Sequence, residues 1–402
     1  EVTNGDFSAA GSNLVDNPNF TDTGSELVTD GDFPLPNVNW SANGGAEITI
    51  DGARINNTIT GVNAYIAQLL SGTLSGKSFV LTYDVITTNG TTLAIEQATS
   101  ISLDTSTTGT NRKLYFTWNR VNNNLILKRL TLGTDVTIDN VSVKELGADW
   151  TIVDNDATRY VEFIETGARY VSLTTSPILV FKQTTFQLLA NKSYKLTVDM
   201  TRVSGGVKFE TGGVSEVFSA TTSGTNNTRY ITPTSNVFLT FIRSNSNTDL
   251  TFHSISVQEL GEGWDLGTGW SIGDDVAQAV SATSNPIAQT VSGFTAGSTY
   301  QVKFEVTAVT QGYVRVYAYV GASGSFSNIF SSTNLQIGEY EGEFEFGGTN
   351  KILRFYGSTG GAGGFIGSIS NISVKEIATS YLTQSVSLSA KTWKIIYSVS
   401  DY

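Results

Sequence analysis

The sequence predicts an all-β protein: three tandem jelly-roll β-sandwich domains with an extended N-terminal arm and a C-terminal β-hairpin. Three observations carry that prediction. A nine-residue strand occurs three times, as Ile138-Asp139-Asn140-Val141-Ser142-Val143-Lys144-Glu145-Leu146, Phe252-His253-Ser254-Ile255-Ser256-Val257-Gln258-Glu259-Leu260 and Ile369-Ser370-Asn371-Ile372-Ser373-Val374-Lys375-Glu376-Ile377. Its apolar side chains alternate, the period of a strand with one face in a core. Gly, Ser, Thr and Asn are abundant, and no uninterrupted block of helix formers interrupts them, a composition of many short strands and turns. Further landmarks precede each copy of the strand in a fixed order, which marks a repeated unit of a little over a hundred residues, about the size that holds its own core.

Taken from the N-terminus, residues 1–25 form the arm. Thr3-Asn4-Gly5-Asp6-Phe7, Asp16-Asn17-Pro18-Asn19-Phe20 and Thr29-Asp30-Gly31-Asp32-Phe33 repeat one short motif at 13-residue spacing, with turn-forming residues before each Phe. Only the third copy leads into a domain, so the first two are expected to lie along a neighbour. Domain 1 covers 26–146, domain 2 covers 147–260 and domain 3 covers 261–377.

Each domain opens on a Trp, at Trp40, Trp150 and Trp270, and continues to a turn that feeds an alternating strand at Gly76-Lys77-Ser78-Phe79, Asn191-Lys192-Ser193-Tyr194 and Gly297-Ser298-Thr299-Tyr300. From that Trp to the end of the closing strand the separations are 146−40=106, 260−150=110 and 377−270=107 residues, a near-constant length that indicates one fold with variable loops. The joints Leu146-Gly147-Ala148-Asp149-Trp150 and Leu260-Gly261-Glu262-Gly263-Trp264 are too short to be flexible linkers. Residues 378–402 alternate through Val386, Leu388 and Ala390, then Trp393, Ile395, Tyr397 and Val399, which predicts a hairpin that needs a surface to dock on.

Charge and composition narrow the function. A formal charge of -12 repels nucleic acid, and no apolar run reaches membrane-spanning length, so neither nucleic acid nor membrane is an expected partner. Zero Cys excludes disulfides, thiolate nucleophiles and Cys-ligated metals. The first residue is Glu rather than Met, as in a processed product or part of a longer polypeptide. The single His, His253, sits in the repeated strand where the other copies have Asp139 and Ser370, a plain strand position, and no catalytic set is expected. Glu339, Glu341, Glu343 and Glu345 alternate with Tyr340, Gly342, Phe344 and Phe346, a solvated face rather than a convergent cation site. Tyr313, Arg315, Tyr317 and Tyr319 share one face of a strand whose other face is Val314, Val316, Ala318 and Val320. That face can stack on sugar rings or pack against a neighbouring domain or subunit.

The order Asn/Asp-Gly-Asp-Phe, Trp, Gly-Lys-Ser-Phe and Ile-Asp-Asn-Val-Ser-Val-Lys-Glu-Leu resembles carbohydrate-binding modules of the family 4/9 type, and more closely the tandem copies of that module in bacteriophage virion proteins. The resemblance covers about residues 26–377. It implies a calcium in domain 1, joining Asp30 or Asp32 of the opening strand to Asp139; His253 and Ser370 replace that acid in the other domains.

The expected function is a non-enzymatic structural virion protein, a head or tail fibre or a capsid decoration, at the virion surface and extracellular. Its partners would be other virion subunits or copies of itself, met through Phe7, Phe20, Trp393, Ile395 and Tyr397, and cell-surface glycans, met through the Tyr313 face. An extracellular glycan-binding array and a bacterial surface or filament subunit are the alternatives.

Overall fold

Alternation along the repeated strand buries one row of side chains and leaves the other half-exposed, so the strand needs a partner sheet across a core. The computed structural model describes residues 2–57, 62–211, 213–218, 224–245, 247–282, 285–320, 325–330, 335–358 and 364–377. Every regular element among them is a β-strand, and every pairing between these strands is antiparallel. None of the described residues forms a helix long and apolar enough to cross a membrane. The hairpin residues Trp393, Ile395 and Tyr397 lie outside the described residues.

Each domain is a sandwich of two sheets. In domain 1 the strands Gly109–Thr117, Ser78–Thr88, Thr134–Leu146, Gly52–Asn57 and Ala46–Thr49 form one sheet in that order, and Ser41–Asn43, Tyr65–Leu69, Asn124–Arg129, Leu93–Ile95 and Ile101–Ser102 form the other. Domains 2 and 3 repeat this order, with Thr248–Leu260 and Phe365–Ile377 in the central place of Thr134–Leu146. These are jelly-roll sandwiches. Each encloses a separate core, around Trp118 and Phe79 in domain 1, Phe181 and Phe241 in domain 2, and Trp264 and Phe355 in domain 3.

The arm, which continues through the third Phe motif at Phe33, is built into all three cores, in reverse order. Phe33 enters the core of domain 1, Phe20 that of domain 2 and Phe7 that of domain 3. Each Phe closes a tight turn by donating its N–H to the residue three back, Asn4, Asn17 or Asp30. Both turn residues adopt positive φ, 50° and 57° at Asn4 and Phe7, 48° and 60° at Asn17 and Phe20, and 53° and 49° at Asp30 and Phe33. Asn and Asp tolerate that region, but a Phe there is strained. The buried ring holds it in place. The neighbour of the first two motifs is thus a later domain of the same chain.

Three buried glutamines, Gln68, Gln183 and Gln289, fix the arm. Each grips one arm residue at both backbone groups: Gln68 Oε1 accepts the Thr29 N–H at 2.8 Å while its Nε2 donates to Thr29 O at 2.7 Å. Gln183 does the same to Asp16 at 3.0 and 2.6 Å, and Gln289 to Thr3 at 2.8 and 2.9 Å. The closing strands complete the contact, as Val141, Ile255 and Ile372 donate their N–H groups to Gly31, Pro18 and Gly5.

This geometry corrects the third Trp landmark. Trp264, not Trp270, corresponds to Trp40 and Trp150: it lies beside the strand that carries the clamping glutamine and contacts the arm Phe. Trp270 belongs to the hairpin Trp270–Gly273 and Val276–Ala282 in the opposite sheet. The uniform length favours Trp270, but the extra residues of domain 3 lie beyond the clamp: from glutamine to the end of the closing strand the separations are 146−68=78, 260−183=77 and 377−289=88.

Both domain junctions use one joint. Ser78 Oγ accepts the N–H of Phe163 at 3.1 Å between domains 1 and 2, and Ser193 Oγ accepts the N–H of Ile272 at 2.7 Å between domains 2 and 3. Gly147 and Gly261 make the turns at φ 67° and 70°. A Cβ on either would stand about 2 Å from the side chain of Phe163 or Ile272 (2.0 and 2.1 Å), so both joints are closed by contact with the next domain.

Candidate binding cleft on domain 3

Tyr313, Arg315, Tyr317 and Tyr319 lie on the strand Tyr313–Val320, with Val314, Val316 and Ala318 turned into the core. The four polar-face side chains are half-buried rather than open. Antiparallel pairing sets Arg315 opposite Tyr356 and Tyr317 opposite Arg354 on Ile352–Ser358, and Tyr319 opposite Phe326 on Ser325–Asn328. Arginines and aromatic rings therefore alternate across three strands.

The rings form a cleft. Tyr317 and Tyr356 meet edge to face at 5.2 Å, and Tyr319 meets Phe326 at 4.1 Å. The Arg354 guanidinium sits 4.1 Å above the Phe326 ring and that of Arg315 5.1 Å above Tyr313. Arg315 also donates to the Tyr313 hydroxyl at 2.7 Å. The Tyr313 phenol is held below its usual value by its hydrogen bond with Ser358, against desolvation and with help from Arg315. The cleft encloses about 300 Å³ between Arg315, Tyr317, Phe326, Tyr356, Gly357 and Ser358. Stacked ring faces beside guanidinium donors suit a ligand with apolar faces and hydroxyl edges.

Of the four sequence-predicted residues, Arg315 and Tyr317 line the cleft. Tyr313 is engaged by Arg315, and Tyr319 packs toward the core and Phe326. Phe326, Arg354 and Tyr356 escape sequence reasoning, because only strand pairing brings them there. Arg354 and Tyr356 alternate with buried Leu353 and Phe355, a pattern that marks the strand's outer face without naming its neighbour.

The corresponding sheet face of domain 1 carries ion pairs instead, Glu96 with Arg120 and with Lys128. On domain 2 it carries the pair Lys208 and Glu210. A larger groove of about 490 Å³ on the other sheet of domain 3 is walled by Glu305, Glu339 and Glu341 with Lys303, and Glu339, Glu341, Glu343 and Glu345 are exposed along its strand.

The carboxylates named for calcium fall in two places. Asp30 Oδ2 accepts from Asn39, whereas Asp139 stands with Asp84 and Asp32. Burial pushes the Asp139 carboxyl up; the Asn140 amide opposes, and Asp84 and Asp32 add to the rise. No group of three or more His, Cys, Asp or Glu among the described residues could hold a metal ion. His253 is bound on both nitrogens, Nε2 to Thr201 Oγ1 at 2.8 Å and Nδ1 to Thr166 O at 2.7 Å. Phe7 and Phe20, named for contacts between subunits, are instead buried inside their own chain at 1% and 2% exposure, a correction that follows from the turn and glutamine clamp around each.

The fold and cleft define a protein of three jelly-roll sandwiches tied by one arm. No family model matches the chain, and no curated protein sequence matches it. Among solved structures, the CBM22-1–CBM22-2 tandem domain of Xyn10C from Paenibacillus barcinonensis is 12% identical, covering 57% of this chain and 93% of that one at a TM-score of 0.20. The structure of Sulfolobus Turreted Icosahedral Virus supplies a chain 13% identical, covering 83% and 91% at 0.18. The CBM32-1, CBM32-2 and M60 catalytic domains of Clostridium perfringens ZmpB are 8% identical, covering 87% and 57% at 0.19. Scores this low carry no inference about function.

Proposed function

We propose that this chain is a non-enzymatic structural protein of a virion surface, a fibre or decoration: a stiff three-domain spacer whose third domain presents an aromatic cleft to a glycan. The arm supports the structural half. One segment of about thirty residues supplies a buried Phe to every domain, so no domain can swing away without opening another's core contacts. Repetition of the serine joint at both junctions adds a fixed relation between successive domains. A binding array on flexible tethers needs neither device.

The cleft supports the glycan half, since the Tyr317 and Tyr356 rings stand beside the Arg315 guanidinium along its wall, and ring faces beside hydrogen-bond donors suit a sugar. The virion assignment rests on the sequence resemblance. Light scattering on the purified chain, with and without residues 378–402, tests assembly: a discrete oligomer that falls to monomer on truncation supports it, and a monomer in both forms contradicts it. Glycan-array binding that disappears in Tyr317→Ala supports the cleft, and unchanged binding removes it.

A further inference from the structure

Among the described residues, the closing-strand sheets of domains 1 and 2 have six strands, and that of domain 3 has five. The sixth strand in domain 1 is Thr23–Glu26, paired with Lys144 and Leu146. In domain 2 it is Ala10–Asn13, paired with Gln258 and Leu260. Both are arm segments that precede a Phe motif, 13 residues apart, and both use the same chemistry. Glu26 Oε1 accepts the Val143 N–H at 2.9 Å and Asn13 Oδ1 accepts the Val257 N–H at 2.9 Å. The next residue, Leu27 or Leu14, donates its N–H to the carbonyl of that same Val. Gly24 and Gly11 lie against the strand at Glu145 and Glu259.

In domain 3 the equivalent residue is Val374, which pairs with Val302 as Val143 does with Leu81 and Val257 with Leu196. Its N–H therefore faces the same edge. Among the described residues no strand pairs with Val374–Ile377 on that side. Lys375 and Glu376 are exposed, whereas Lys144 with Glu145 and Gln258 with Glu259 are only half-exposed. The arm reaches this domain through Val2 and Thr3, and the same 13-residue offset places the equivalent of Ala10–Asn13 at the four positions before Glu1.

We infer that the Val374–Ile377 edge is a strand acceptor, and that the strand it fits is a Gly-Ser-Glu or Gly-Ser-Asn arm segment running into Glu1. An open edge with unpaired N–H and C=O groups is a ready template for an added strand, and the two filled copies in the same molecule define the register and side-chain chemistry of the occupant. The added carboxylate or carboxamide would bond the Val374 N–H and stand beside Ser373, as Glu26 does beside Ser142 at 2.5 Å.

The test is amide hydrogen exchange on the full chain, on the chain extended by Thr-Gly-Ser-Glu before Glu1, and on a control extended by Thr-Gly-Ser-Ala. The extension ending in Glu is expected to slow exchange at Val374 and Glu376 by about tenfold or more, and the Ala control to protect Val374 less. Equal exchange in all three chains would overturn the inference. So would protection of Val374 in the unextended chain as strong as that of Val257, or protection that rises with protein concentration, since another segment or a second copy would then hold the edge.

Discussion

Phe7 and Trp264 lie with ring centroids 5.3 Å apart at an interplanar angle of 50°, although one opens the chain and the other opens its last domain. The pair recurs as Phe20 with Trp150 at 5.4 Å and 46°, and Phe33 with Trp40 at 5.1 Å and 54°. Tilted aromatic contacts at this range add to burial. They make the arm a structural part of each sandwich.

The clamping glutamines should matter more than their number suggests. Gln183→Leu keeps the apolar bulk but leaves both backbone groups of Asp16 without the partner they have now, an expected loss of about 1–3 kcal/mol. Chemical denaturation measures the loss, and limited proteolysis should show new cleavage near Asp16 before domain 2 unfolds.

The three tryptophans should respond differently to loss of the indole N–H. Trp40 Nε1 donates to Thr29 O and Asp30 O, and Trp264 Nε1 to Thr3 O and Asn4 O. Trp150 instead lies nearly flat on Phe181 at 4.3 Å and 18°, and its Nε1 is buried without a partner among the described residues. Trp40→Phe and Trp264→Phe are therefore expected to cost about 1 kcal/mol more than Trp150→Phe. Equilibrium denaturation of the three variants gives the ranking.

Alkaline pH should unfold domain 1 through Tyr83. Burial pushes its phenol up to about 12, against a hydrogen bond to the Asp104 carbonyl. A group whose folded pKa lies above its unfolded value favours the folded state while protonated. The contribution is thus full below about pH 10, the unfolded phenol value, and is lost as pH rises toward 12. Tyr83→Phe should flatten that limb of a melting-temperature profile and leave the neutral region with a shift of only a few degrees.

Strand periodicity made the sandwiches and their closing strands legible, because the alternation at Val141 and Val143 is local. The 13-residue Phe spacing revealed a repeated arm motif but not its destination. Phe7 meets domain 3 and Phe33 meets domain 1 because the arm runs back along the row of domains, a choice fixed by nonlocal pairing. The clamps left a faint signal: Gln68, Gln183 and Gln289 each stand two residues after a buried apolar residue, Ile66, Phe181 and Ile287, at an inward position. A buried polar side chain there requires a partner from elsewhere, and the arm is that partner. The cleft was half legible, since Arg315 and Tyr317 share one strand whereas Phe326 and Tyr356 arrive from two others.

The most direct measurement is hydrogen exchange on Phe7→Ala across all three domains. Removing a buried Phe from a core costs about 3–5 kcal/mol, so exchange should accelerate through the strands of domain 3, including Phe365–Ile377, while domains 1 and 2 keep their protection. Unchanged protection in domain 3, or an equal loss in all three domains, would contradict the docking of the first arm motif in the last domain.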